Sequence, residues 1–142
     1  MSRALGDQWP LPQIDDGNRG WFTSGELSVQ KCLACGAFQH PPEDVCSSCQ
    51  SFDLGVHLST GLGRIESLVI VRHPPHPALV DAVPYAVVVV SLDDAPGVNV
   101  VGNLLGAPPE ELRIGQAVSA SFEEVPDPEG GETLRIPQWK LA

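Results

Sequence analysis

Residues 32–49 read CLACGAFQHPPEDVCSSC: Cys32 and Cys35 form one C-x2-C pair, Cys46 and Cys49 a second, with ten residues between the pairs. Two residues between cysteines let a tight knuckle turn both thiolates toward one ion, and two such knuckles complete a tetrahedral sulfur set. A segment this short buries too little apolar surface to order itself. Metal binding then contributes the missing folding free energy, on the order of 10 kcal/mol or more. Four protein ligands leave no open coordination position for water or substrate. The expectation is therefore a structural zinc on Cys32, Cys35, Cys46 and Cys49 rather than a hydrolytic centre. A single redox iron fits the same four thiolates, as in a rubredoxin-like site, and stays open as the alternative. Packing alone explains the paired spacing poorly.

Working outward, the alternation from Leu27 to Lys31 predicts a short strand leading into the first knuckle, and Phe52 to Leu58 predicts a segment that pairs back. From Gly61 the texture changes to β-rich runs separated by turns. Five strands are predicted: Leu62 to Arg72, Tyr85 to Leu92, Val98 to Leu104, Ala117 to Glu124 and Leu134 to Trp139. Five strands in about eighty residues suit a small barrel of the OB type. Pro108-Pro109-Glu110-Glu111-Leu112 starts like a helix, with Gly115 as its stop. Gly61-Leu62-Gly63 is too bare for a phosphate-binding fingerprint and predicts instead a strand that bends sharply. The first twenty residues lack periodicity and predict an extended arm with one helical turn to follow. The expected organisation is an arm and short helix over 1–26, a zinc ribbon over 27–58 and an OB-fold over 59–142. Large aromatics on the arm, Trp9, Trp21 and Phe22, either pack back on the domain or await a partner.

Charge excludes one class of partner. The 142-residue chain has 18 acidic side chains against 8 Lys and Arg, a formal net charge of -10, so a phosphate backbone meets repulsion. A basic region followed by an apolar leader is not seen. The longest apolar stretch, Tyr85 to Val90, is far short of the ~20 residues that span a bilayer. Four cysteines in C-x2-C pairs without an export signal point to metal in a reducing compartment. The expectation is a soluble cytoplasmic protein that binds neither nucleic acid nor membrane.

Other chemistry-bearing residues are weaker candidates. His73-Pro-Pro-His76-Pro looks like a ligand cluster, but a proline-rich connection between strands needs no metal to explain it. His40 lies inside the knuckle loop, where it either bonds a sulfur or is exposed, and His57 reads as isolated. The acidic pairs, Asp93-Asp94 among them, read as solvated turns and faces. Neither GxSxG nor HExxH occurs, and every cysteine is already assigned, so no nucleophile with its own base can be named.

The run WFTSGELSVQKCLACGAFQHPPEDVCSSC, followed by GLGRIESLVIV, PYAVVVVSL and LRIGQAVSASF, resembles the domain-of-unknown-function family thirty-five over roughly Trp21 to Trp139. The most specific parts are CxxCG with the following Pro41-Pro42, the Pro84-Tyr85 strand entry and the Leu112-x-Ile114-Gly115 turn. That resemblance implies an N-terminal helix and rubredoxin-like zinc ribbon joined to a five-stranded OB-fold. It also implies a thiolase-like partner (a thiolase, acyltransferase or steroid side-chain retro-aldolase) that carries the catalytic residues in a heterotetramer. The OB-fold would stabilise that partner beside its acyl-CoA channel. Trp21, Phe22 and Tyr85 are the residues expected to face the partner or the channel, set against an ordinary packing role. Glu43 stands where the family often has a basic residue, which weakens any reading of the ribbon as a clamp for CoA phosphates.

The leading expectation is a non-catalytic accessory subunit of an acyl-CoA enzyme in lipid or steroid side-chain degradation. An OB-fold nucleic-acid binder needs a basic groove with stacking aromatics, which one Tyr, four Phe and the acidic balance supply poorly. A rubredoxin-like electron carrier leaves the barrel without a role, and a self-sufficient enzyme such as a thioesterase lacks an activated nucleophile.

Overall fold

The computed structural model describes residues 5–127 and 130–142. One short helix, α1 (Arg19–Thr23), precedes eight strands: β1 (Leu27–Cys32), β2 (Phe38–Gln39), β3 (Leu54–Ser59), β4 (Leu62–Val71), β5 (Tyr85–Leu92), β6 (Asn99–Leu105), β7 (Ala117–Val125) and β8 (Leu134–Leu141). The first three make a small antiparallel sheet in the order β2-β1-β3. The last five close a barrel in the order β4-β5-β6-β8-β7. All five barrel strands expected from the alternation are present, and the protein is mostly β as predicted.

Period-two patterning places the core. In β5, YAVVVVSL, every second residue is buried, so Ala86, Val88, Val90 and Leu92 face the barrel interior. There they meet Ile65, Val98, Val100, Val118 and Trp139. β4 pairs with β5 from Gly63 to Val71 and with β7 at its first residues, Leu62 to Arg64, and a bulge slips the β4–β5 register between Ile65 and Ser67, just beyond the segment that carries both partners. β6 and β8 pair in parallel, through Leu104 with Trp139 and Leu105 with Lys140, and this seam closes the barrel. Gly102 makes room for the indole: a Cβ there would meet Trp139 Cδ1 at 3.0 Å. Gly61 falls in the two-residue connection between β3 and β4. Gly61 has φ +77° and its carbonyl accepts the Ala120 N–H at 2.8 Å, while Gly63 lies against the Ser91 carbonyl.

The helix expected after Pro108 reduces to a 3-10 turn, Pro109–Glu111. Leu112 returns to extended backbone and is buried in the core, so the chain is drawn inward before a second turn can form. Helix nucleation is unfavourable in a segment this short.

The arm packs back on the barrel. Trp9 meets His76 edge-on, with centroids 5.4 Å apart, and α1 is tied to β8 where Arg135 Nη1 donates to the Thr23 carbonyl at 3.0 Å. Among the described residues no helix is long and apolar enough to cross a membrane.

Candidate metal centre

Each knuckle repeats one backbone design. Cys32 N–H donates to the Ala37 carbonyl and Cys46 N–H to the Ser51 carbonyl, at 2.8 and 2.9 Å. Inside each turn, Gly36 N–H returns to the Cys32 carbonyl and Gln50 N–H to the Cys46 carbonyl, both at 2.9 Å. The residue after the second cysteine is left-handed in both, Gly36 at φ 81° and Gln50 at φ 61°. The first knuckle hangs from β1, which ends at Cys32, and β2 pairs back on that strand.

The two turns bring the four sulfurs together, all within 4.8 Å of one another. Cys32 and Cys49 Sγ are 3.6 Å apart, and Cys35 and Cys46 Sγ 3.7 Å. A tetrahedral ion with metal–sulfur bonds of about 2.3 Å separates its sulfurs by about 3.8 Å, so the donor set fits such an ion. Cys32 and Cys46 are buried while Cys35 and Cys49 lie at the surface.

Amide donors polarise the site. The Cys35 N–H, 3.5 Å from Cys32 Sγ, and the neighbouring Ala34 amide pull the Cys32 thiol down to about 6 against the cost of burial. The Cys49 and Ser48 amides lower Cys46. For Cys49 the Ser51 amide acts downward, yet the Cys32 sulfur and burial together push the thiol up to about 12. Four crowded sulfurs do not all ionise without a cation among them.

The loop between the knuckles is held by two glutamines that the sequence reading missed. Gln39 Nε2 donates to Gln30 Oε1 at 2.6 Å and to the Val45 carbonyl at 3.1 Å, and Gln39 Oε1 accepts from the Ser47 amide and hydroxyl at 3.0 Å. Gln30 in turn grips both backbone groups of Glu43 at 2.9 Å. The pair spans β1 and β2 and fixes where the second knuckle starts. Long amides in an alternating strand read as solvent-facing, so only the register reveals them.

The histidines correct the expectations drawn for them. His40 neither bonds a sulfur nor lies exposed: it packs against Trp21 with ring centroids 4.3 Å apart, its Nδ1 is buried without a hydrogen-bond partner among the described residues, and burial holds it below its ordinary value. His57 is not isolated. Its Nε2 is 3.0 Å from Asp94 Oδ2, and its ring meets Phe38 edge-on. Asp94 is accordingly no solvated turn residue, since it also accepts from the Ser59 hydroxyl at 2.7 Å and the Thr60 N–H at 2.9 Å. His73 and His76 stay on the surface, and among the described residues the four cysteines are the group that could hold a metal.

Trp21 and Phe22, on α1, are half-buried and stand between two hollows. One, of about 560 Å³, runs toward Pro41, Pro42 and Val56; the other, of about 410 Å³, runs toward Trp9, Val101 and Gln138. Trp21 also packs against the core. Tyr85 is half-buried at the start of β5, opposite Val71, and lines neither hollow.

Comparison with known proteins bears on this geometry. Residues 23–55 match the family described as "ChsH2, rubredoxin-like zinc ribbon domain" and residues 56–123 match "ChsH2, C-terminal OB-fold domain". One chain of a solved structure described as "Ltp2-ChsH2(DUF35) aldolase" is 34% identical, with a TM-score of 0.76 over 92% of this chain and 98% of that one. The protein belongs to the DUF35 family.

Longer relatives carry the same region. A probable enoyl-CoA hydratase alpha subunit from Thermomonospora curvata is 37% identical over 136 residues, which is 94% of this chain and 40% of the relative. The 3-oxo-4,17-pregnadiene-20-carboxyl-CoA hydratase alpha subunit of Mycobacterium tuberculosis is 33% identical over 102 residues, 72% of this chain and 31% of the relative. The match of this DUF35 chain thus spans less than half the length of each of these two relatives. Their names add hydratases to the enzyme classes that the sequence resemblance brought forward.

Proposed function

We propose that this DUF35 protein is a non-catalytic accessory subunit of an enzyme acting on acyl-CoA substrates, with a thiolase-like aldolase or thiolase as the partner that carries the chemistry. The observation that carries the reading is the near end-to-end match to one chain of an aldolase whose name joins a DUF35 protein to a second component. The relatives named as alpha subunits support it from the sequence side. In this reading the four cysteines hold a structural zinc, and the ion orders the ribbon rather than touching substrate. Trp21 and Phe22, standing between two hollows, face the partner, and Tyr85 flanks the barrel end nearest the acyl chain. The assembly is a cytoplasmic heterotetramer working on lipid or steroid side-chain acyl-CoA.

The deciding experiment is affinity purification of the tagged protein from its native host, with mass spectrometry and metal analysis of the same sample. The expected result is a stoichiometric acyl-CoA enzyme chain and one zinc per DUF35 chain. A zinc-loaded protein that elutes alone overturns the accessory reading. A red protein with iron-thiolate absorption overturns the assignment of zinc.

A further inference from the structure

The barrel closes on itself, but the ribbon sheet does not. In the order β2-β1-β3, the outer edge of β3 has no partner strand among the described residues. In an antiparallel sheet, alternate peptide groups of such a strand point away from its neighbour and await a hydrogen-bonding partner. Sheets guard free edges with charges, prolines or bulges. β3, LGVHLS, has none of these and pairs with β1 in unbroken register from Leu27–Ser59 to Cys32–Leu54.

The strand also exposes apolar side chains on one face. Its partner-face residue His57 turns to Phe38 and Asp94, whereas Val56 is 70% and Leu58 57% exposed. Phe52, two residues before β3, is 82% exposed. Beside the strand lies the larger hollow, which reaches β3 at Leu54, Gly55 and Val56 and is walled opposite by Trp21 and Phe22. A free edge beside apolar hollows is the arrangement with which extended peptides are recognised: backbone bonds give affinity and alternate side chains fill the hollows.

We infer that the free edge of β3 is a docking strand, on which an extended segment of the partner enzyme adds as a fourth strand of the ribbon sheet. This rests on the accessory-subunit reading. The segment is apolar at alternate positions and neutral or basic in charge. A second copy of this chain is the wrong occupant, because each copy has a net charge of -10 and like charge opposes self-association. Asp53 at one end of β3 and Asp16 at the rim of the hollow favour a cationic residue on the incoming strand.

The test uses the full-length protein and the enzyme chain recovered with it. Val56→Arg/Leu58→Arg places charge on exposed positions and leaves the core and the cysteines intact. Ile114→Arg, 69% exposed on the barrel, is the control. The expected result is a Kd for the enzyme chain weakened about 30-fold or more in the double variant and unchanged in the control, with metal content and melting temperature preserved in both. Hydrogen exchange on the wild-type complex should slow at the β3 amides relative to the free protein. Undiminished affinity of the double variant, or unchanged β3 exchange in the complex, overturns the docking strand while the accessory role stands. Failure to recover any enzyme chain with the wild type overturns both. Dimerisation of the purified protein that the double variant abolishes overturns the assigned occupant.

Discussion

His57 on the edge strand of the ribbon and Asp94 in the β5–β6 turn of the barrel meet with Nε2 and Oδ2 3.0 Å apart. The same carboxylate takes the Ser59 hydroxyl and the Thr60 amide, so one side chain secures the joint where the ribbon passes into β4. The Thr60 and Ser59 hydrogen bonds, and then His57, hold the Asp94 carboxyl below its ordinary value of 3.8 despite the opposing effect of burial.

Removing that carboxylate should therefore loosen the joint. Asp94→Ala is expected to cost about 2 kcal/mol in urea unfolding, since it takes the acceptor from three donors. Because folding lowers this pKa, the contribution is fully present above the unfolded value and is lost as pH falls through the folded one. The stability gap between wild type and Asp94→Asn should stay level from about pH 7 to pH 5 and narrow as the pH drops below that range. A gap that instead narrows on raising the pH would contradict the assignment.

Metal uptake by the ribbon should release protons. With Cys49 pushed up to about 12, at least that thiol is protonated in the metal-free protein at neutral pH and must ionise to become a ligand. Calorimetric titration of the metal-free protein with zinc, in buffers of different ionisation enthalpy, should show net proton release and weaker binding at lower pH. Chelation should abolish slow exchange in β1, β2 and β3 while leaving β5 protected by its own buried core.

The two knuckles differ at one backbone position, and the difference is measurable. Gln50 sits at φ 61° where the equivalent Gly36 sits at φ 81°. A side chain in this region is strained by roughly 1 kcal/mol. Gln50→Gly should stabilise the metal-loaded protein by up to about 1 kcal/mol, and Gly36→Ala should destabilise it by a similar amount. Thermal melts with zinc in excess would show opposite shifts, and shifts of the same sign would refute the equivalence.

At Gly63 the constraint is space. A Cβ there would lie 2.5 Å from the Ser91 carbonyl oxygen and 2.6 Å from Val90 Cγ1, so Gly63→Ala forces β4 away from β5. Overpacking of this kind costs about 1–3 kcal/mol. Alanine at Gly97, where nothing lies within 4 Å, tests positive φ without the clash and should cost less. Equal losses in the two variants would show that steric exclusion at Gly63 is not the cause.

Much of this architecture could be read from the chain because it is written at short range. A C-x2-C turn is complete within a few residues, so Cys32 with Cys35 and Cys46 with Cys49 announce two knuckles without any knowledge of the rest. The alternation in YAVVVVSL likewise declares a strand with one buried face. What remained out of reach depends on partners far apart in sequence. Asp94 looks like half of an acidic turn until the fold brings His57, 37 residues away, to its carboxylate. Gln138 looks like a surface amide until its Oε1 receives the Asn103 amide at 2.8 Å across the barrel's closing seam. His40 is neither ligand nor surface residue because α1 lays Trp21 over it. Local spacing determined the metal-binding chemistry and the strands; tertiary structure alone decided which strand edge stays open and which polar side chains join ribbon to barrel. Hydrogen-bond geometry and period-two burial act between neighbours, whereas register and closure are set only when the whole sheet packs.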